Sequence, residues 1–476
     1  MIGARYAVAA LGWLGTIIMV RRLSVAEFGR FTFVFSLIGM IAVFTELGLG
    51  RMAIKGLVDE GRDKASFAGT LVALRSCLGL VVYALAVAFV VVARYPAEVV
   101  SATLVAGIVL LLATPSHAIE AVFHVHLRMG TVALSSVVGQ LAQLGLITAI
   151  AVGGRGSVVL FAVPPVVCEL LILAWRLVTV RKLQPIRLNV DWAEWRALLR
   201  EAAPLAAGAV MVSFSYRVDS VMLSKLDTFT AVGVYGVAYK FVDIVHYLPS
   251  ALMPPLLAVL VRAWPDDARA FADTFRRAFT ALALVGTLVA VEFAVFARPV
   301  ISLLYGSEYA EGAHAARMVV GAECVAAFTS LALTALVAMG RNRLYPIAAV
   351  VGLVVNIALN LWLIPNHSYE GAAAATLVTN ALIVVVMWLP LSRLDAVRPL
   401  PLQSLVLAAG GGAIAITVAT GTRAFLPWPL AATAAAAAFA AFTAVAMTIG
   451  RSGRLGRRAA LGREAEASGR EVSLRQ

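Results

Sequence analysis

The residues that could do chemistry in this 476-residue chain are the charged ones inside its longest apolar runs. Four bases, Arg75, Arg217, Lys240 and Arg317, fall within or beside such runs, with seven acids: Glu46, Glu120, Glu169, Asp219, Asp243, Glu292 and Glu323. A central Arg or Asp costs roughly 2.5–3.5 kcal/mol on the membrane-insertion scale, so these side chains must face protein interior or water. Bases so placed can hold an anionic group; acids can pair with them or carry a proton. The stretch SFSYRVDSVMLSKL, 213–226, brings Arg217 and Asp219 together. Two residues apart on a helix point about 200° away from each other, so these two share no cavity face and form no pair with each other. Lys240 and Asp243 are three apart and share a face, with His246 three further on. The expected cross-helix pairs are Lys240 with Asp219 or Arg217 with Asp243. Such a network is either structural or in contact with substrate or protons. Arg75, Arg317 and Glu292 lie nearer run ends, where a buried pair or a snorkelling head group is the simpler expectation.

The elements that must position these residues are membrane helices. Hydrophobic residues make up 61% of the chain and charged ones only 14%, against about a quarter charged in a soluble protein. Apolar runs long enough to span a bilayer recur along the sequence. Reading them between charged or Gly/Pro-rich breaks predicts an all-α integral membrane fold of fourteen helices, the seventh over 202–224 and the eighth over 231–259. With both termini on one side, 27 of the 39 Lys and Arg fall on that side and 8 on the other, so the positive-inside rule puts both termini in the cytoplasm. The formal net charge of +13 is explained by topology. Its bases are spread between apolar runs, and no nucleic-acid partner is expected.

The longest inside connector, RKLQPIRLNVDWAEWRALLREAAP, carries Trp192 and Trp195 three apart beside Arg196 and Arg200. That pattern predicts an amphipathic helix on the cytoplasmic surface. It divides the chain. The segment RRLSVAEFGRFTFVFSLIGMI aligns with SKLDTFTAVGVYGVAYKFVDIV, matching Gly29 to Gly233; HLRMGTVALSSVVGQLAQLGL aligns with MGRNRLYPIAAVVGLVVNIAL, matching Gly139 to Gly352. Six spans thus repeat as six more. An even number preserves topology, so the repeat is parallel, about an axis along the membrane normal. The predicted organisation is a six-helix bundle over 1–180, the connector over 181–200, a second bundle over 201–395, helices thirteen and fourteen over 396–450, and a basic cytoplasmic tail over 451–476. On this alignment Asp219 falls near Gly15 or Thr16, so the first repeat lacks the charge.

DSVMLSKLDTFTAVGVYGVAYKF (219–241), LLYGSEYAEGA (303–313), NIALNLWLIPNHSYEGAAAATLVTN (356–380) and RRLSVAEFGRFTF (21–33) together resemble polysaccharide-biosynthesis membrane proteins. These are the oligosaccharide flippases of the multidrug/oligosaccharidyl-lipid/polysaccharide exporter superfamily. The resemblance covers roughly residues 5–395. It implies two six-helix bundles around a central cavity, with two further C-terminal helices. The implied work is translocation of a polyprenyl-phosphate-linked oligosaccharide across the cytoplasmic membrane by alternating access. It needs no cofactor and is coupled to a proton or sodium gradient or to the membrane potential. Membrane lipids, a polysaccharide polymerase and glycosyltransferases are the implied partners. Under this reading Arg217, Lys240, Arg75 and Arg51 are candidates for holding the phosphate, and Asp219, Asp243 and Glu46 for ion pairing or coupling. Asp219 and Lys240 fall where the family often has an acid and a base.

Two other classes are open. One is a cation-coupled drug antiporter of the same superfamily. The other is a membrane glycosyltransferase or polymerase, which should show a large outer loop with paired acids; here the outer loops are short. His124 and His126 are two apart, the wrong spacing for two metal ligands on a helix. Cys77, Cys168 and Cys324 lie far apart in apolar runs and suggest neither disulfide nor zinc. ELGLGR, 46–51, lacks the strand that a dinucleotide site needs.

Overall fold

With no water to satisfy backbone groups in lipid, apolar runs of this length fold as helices. The computed structural model describes residues 2–154, 156–341, 344–392 and 402–448, and these hold helices and no strand. The helices are α1 Ile2–Val20, α2 Val25–Ile41, α3 Val43–Glu46, α4 Leu49–Val58, α5 Lys64–Val92, α6 Ala97–Val125, α7 Met129–Val152, α8 Val158–Phe161, α9 Val163–Val180, α10 Trp192–Leu226, α11 Phe229–Ala263, α12 Ala268–Tyr305, α13 Ala313–Ala338, α14 Leu344–Ser392 and α15 Leu402–Thr422. A last apolar helix, α16, covers Trp428–Thr448.

Twelve stretches among the described residues are long and apolar enough to cross a membrane, against the fourteen helices expected. Two places account for the difference. The stretch Tyr345–Leu389, within α14, is 45 residues long, about twice what one crossing needs. It breaks at Ser368, whose backbone is non-helical (φ 51°, ψ −137°). A Cβ on Gly352 would sit 2.5 Å from Ile383, and one on Gly371 would sit 2.5 Å from the Leu363 carbonyl oxygen, so the two arms run antiparallel. The second place is α10. Its 35 residues join the tryptophan-bearing part of the connector to the expected seventh run without a break. Its mean hydropathy is held down by residues such as Arg217 and Asp219.

The chain forms two compact units. The first comprises the described residues within Met1–His246, Val300–Ala326 and Arg341–Met387; the second comprises those within Tyr247–Pro299, Ala327–Gly340 and Trp388–Gln476. In the second, the Trp388 indole donates to the Phe328 carbonyl (3.2 Å) among Phe275 and Phe279, and Thr280 and Ser404 hydroxyls lie 2.7 Å apart. In the first, α1 packs on α7, α7 on α9, and α6 on α5 and α9. The second span is discontinuous: α3 ends at Leu47 and Gly48, both left-handed (φ 39° and 76°), and Glu46 sits at this break.

The repeat has a physical expression in this unit. Ser24 and Glu27 form a capping box that starts α2 at Val25. Thr228 caps the first turn of α11, its Oγ1 accepting from the Ala231 N–H at 3.2 Å. Each cap stands five residues before its matched glycine, and those glycines meet. A Cβ on Gly29 would overlap the Phe229 carbonyl, and one on Gly233 would overlap that of Val25. Close approach of two membrane helices at small residues is the ordinary reason for such positions. Gly139 likewise lies against Ile172 of its own half, as Gly352 lies against Ile383 of the other.

Candidate functional site

Asp219 is 1% exposed. Its Oδ1 accepts from the Asn360 amide at 2.7 Å. Its Oδ2 accepts from the Tyr235 hydroxyl at 2.7 Å and the Thr376 hydroxyl at 2.7 Å. The Asn360 amide also lies 3.1 Å from Asn356 Oδ1, and the Thr376 hydroxyl lies 3.1 Å from the Ala372 carbonyl. Three donors from α11 and both arms of α14 thus converge on a carboxylate carried by α10. Among the described residues no cation pairs with it. Burying a bare carboxylate costs several kcal/mol, and each hydrogen bond to a charged group returns about 1.5–3 kcal/mol. The Asn360 Oδ1, also buried, has no hydrogen-bond partner. Carboxylate, amide, hydroxyl and carbonyl oxygens in one place form a hard donor set, suited to a small hard cation or a proton. The repeat makes the contrast sharp. At the matched place in the first half, a Cβ on Gly15 would lie 3.0 Å from the Ile147 side chain, so an apolar contact stands where Asp219 meets Asn360.

Neither expected cross-helix pair forms. Lys240 lies 3.8 Å from Asp243 on its own helix, with both side chains well exposed. Arg217 crosses α2 instead: a Cβ on Gly39 would fall 2.6 Å from its guanidinium carbon. Arg217 and Asp219 do point apart, as their spacing requires. His246 bonds Glu323, its Nδ1 donating to Oε1 at 2.7 Å, and the Glu323 side chain is 4% exposed. The Tyr216 ring meets the His246 ring edge-on.

The first half holds a second polar cluster. Arg75, 2% exposed, donates to both Glu46 oxygens (3.2 and 3.4 Å), and His117 Nδ1 lies 3.3 Å from Oε1 of the same carboxylate. Arg176 pairs with Glu120 at 2.9 Å and donates to the Ser116 hydroxyl at 3.0 Å. Arg75 and Glu46, expected in different roles, are therefore partners of each other. Arg51 lies in the first turn of α4; its side chain lies outside the described residues. Arg317 is exposed on α13. Among the described residues, no group of three His, Cys, Asp or Glu could hold a metal ion.

Sequence reasoning found Asp219 and missed its partners. Asn356 and Asn360, one turn apart in an apolar run, were the available signal; Tyr235 and Thr376 had none. Arg176, not singled out in the sequence, is buried in α9.

The chain matches a family of polysaccharide biosynthesis proteins over residues 18–314. No curated protein matches the sequence. Among solved structures it resembles the lipid II flippase MurJ in an inward closed conformation, with a TM-score of 0.73 and 13% identity over 93% of this chain and 97% of that one. It also resembles an inward-facing MATE multidrug resistance transporter of the MOP superfamily (TM-score 0.65, 14% identity, 83% of this chain and 96% of that one). A Vibrio cholerae MATE transporter is a third such structure (TM-score 0.53, 14% identity, 83% and 100%). At these identities the shared property is the fold: a multi-pass, all-helical membrane fold of the MOP exporter type. The family match covers more than half of the sequence and agrees with the resemblance in its motifs. The chain belongs to the polysaccharide biosynthesis protein family.

Proposed function

We propose that this protein moves a polyprenyl-phosphate-linked saccharide across the cytoplasmic membrane by alternating access, without bond-making chemistry. The movement is coupled to a small cation or proton at Asp219. The buried Asp219 carboxylate, without a cationic partner among the described residues, carries this reading: an ionisable group placed where the other repeat has none, held by two hydroxyls and an amide from α11 and both arms of α14, is a costly arrangement with an evident use in coupling. The family's place in polysaccharide biosynthesis and a fold shared with a lipid-linked-substrate flippase support the substrate class. Both termini are cytoplasmic in this reading, and glycosyltransferases and a polymerase act on either side of the transport step.

On that orientation the first turns of α2 and α11 face outward. There the two repeats meet: Gly29 against Gly233, the Tyr95 hydroxyl 2.8 Å from Ser224, Lys225 donating to the Ala93 carbonyl at 2.6 Å, and Arg21 donating to the Leu304 carbonyl at 3.0 Å. Burial raises the Tyr95 phenol pKa above its ordinary value, so it stays neutral beside the lysine. Contacts that close one end are what alternating access requires of one of its states. The drug-antiporter reading has less support, because the family matched over residues 18–314 is one of polysaccharide biosynthesis proteins.

Deleting the protein should make the polyprenyl-linked glycan accumulate on the cytoplasmic leaflet. Normal glycan export in its absence would sink the proposal. For coupling, transport into vesicles is measured under an imposed sodium gradient and, separately, an imposed pH gradient. One of the two should drive it, and Asp219→Asn should abolish that dependence.

A further inference from the structure

The segment that enters α10 presents two kinds of side chain to the outside. Residues before Trp192 are non-helical and are tied to the start of α5. The Gln184 amide donates to the Lys64 carbonyl (2.8 Å), the Arg187 N–H to the Ala65 carbonyl (3.1 Å), and the Asn189 amide to the Ser66 hydroxyl (3.3 Å). Leu188, Val190 and Trp192 stand exposed at 74%, 55% and 70%. Trp192 is held in place by Trp195, whose ring it meets edge-on at 4.8 Å. Trp195 is itself buried and donates to the Thr70 carbonyl at 3.2 Å.

The charges of α10's first turns differ in their partners. Its acids turn to the protein: Glu194 pairs with Arg62 (2.6 Å) and Glu201 with Lys55 (2.8 Å). Its bases do not. Arg196 and Arg200, one turn apart, flank a shallow groove of about 490 Å³ floored by Ala193 and Ala197 and bordered by Glu201, whose carboxylate is the one Lys55 holds. Both are exposed and, among the described residues, neither makes an ion pair. A surface that neutralises its own acids and leaves two neighbouring guanidiniums beside an apolar ridge is complementary to a phosphodiester above an acyl chain.

We propose that this face of α10 is a binding site for anionic phospholipid head groups of the cytoplasmic leaflet. Arg196 and Arg200 hold the phosphate, and Leu188, Val190 and Trp192 lie among the acyl chains. The site rests on the orientation proposed above but not on the transported substrate. Lipid retention is read without a transport assay, so either proposal can fail alone.

The test is native mass spectrometry of the full chain released from nanodiscs containing phosphatidylglycerol and phosphatidylcholine. The parent should retain phosphatidylglycerol selectively. Arg196→Gln/Arg200→Gln should weaken that retention about thirtyfold, from ~1 kcal/mol per basic side chain near an anionic surface. Arg196→Lys/Arg200→Lys should keep much of it. Brominated phosphatidylglycerol should quench parent fluorescence more than that of Trp192→Phe. Equal retention by parent and Gln variant overturns the proposal. So does displacement of the bound lipid by millimolar inorganic phosphate, which would make the site one for free phosphate. Loss of a concentration-dependent dimer in the Gln variant, with lipid retention unchanged, would assign the face to a second copy of the chain.

Discussion

At the scale of single residues, the weight falls on Asp219 and the groups that hold it. Asn at this position has the same size and no charge, and its amide would face the Asn360, Tyr235 and Thr376 donors. Asp219→Asn is expected to lower transport at least tenfold at unchanged protein level, measured as saccharide movement in proteoliposomes. Thr376→Val removes one donor to a charged group, a loss of about 1.5–3 kcal/mol. With the ion-free carboxylate less stabilised, the coupling ion should half-saturate at an about tenfold or more lower concentration, with the maximal rate less affected. Lys240 gives the opposite expectation for stability. Its contact with Asp243 is long and exposed, and such pairs contribute about 0–1 kcal/mol. Lys240→Ala should leave the melting temperature nearly unchanged while lowering transport. A variant that loses protein instead would make Lys240 a structural residue. These effects could be argued from sequence only for the acid and the base. Helical periodicity assigns a residue to a face but does not say which helix that face meets, and Tyr235, Asn360 and Thr376 lie 16, 141 and 157 residues from Asp219.

At the scale of elements, the repeat is visible in the sequence as two aligned segments that match Gly29 to Gly233. That they touch each other was not visible: two matched glycines equally fit two separate interfaces. The continuity of α10 was hidden because connector and span differ in composition, and composition marks solvent rather than helix ends. The crossing of α2 and α11 supports a paired prediction. Gly29→Ala would push a methyl into the Phe229 carbonyl, so the helices must part, an overpacking cost of about 1–3 kcal/mol. Gly145, in α7, has nothing within 4 Å of the place its Cβ would occupy. Gly145→Ala should therefore leave thermal stability unchanged or raise it, since Ala is the better helix former. The same chemical change should move the melting temperature in opposite senses at the two sites. A fall at both would remove the reason for singling out the crossing.

At the scale of the molecule, transport requires that the closure joining the two repeats be reversible, so its strength must be modest. Lys225 is its most testable part. The ammonium donates to the Ala93 carbonyl and stands 3.7 Å from the centre of the Tyr95 ring. A hydrogen bond from a charged donor and a cation–π contact together amount to about 2 kcal/mol. Removing them should change the ratio of closed to open outer ends by about thirtyfold. Ser220, one turn inside Ser224 on α10, is 8% exposed in the closed arrangement and makes a suitable reporter. With Cys77, Cys168 and Cys324 replaced by Ser and Ser220→Cys introduced, a membrane-impermeant maleimide added from outside should label slowly. Adding Lys225→Ala should accelerate labelling in proportion to the shift, while Lys225→Arg, which keeps the charge and a donor, should not. An unchanged rate in the alanine variant would mean that the glycine crossing and Arg21 hold the outer end shut without the lysine. Acceleration from the cytoplasmic side alone would reverse the orientation on which the closure is placed.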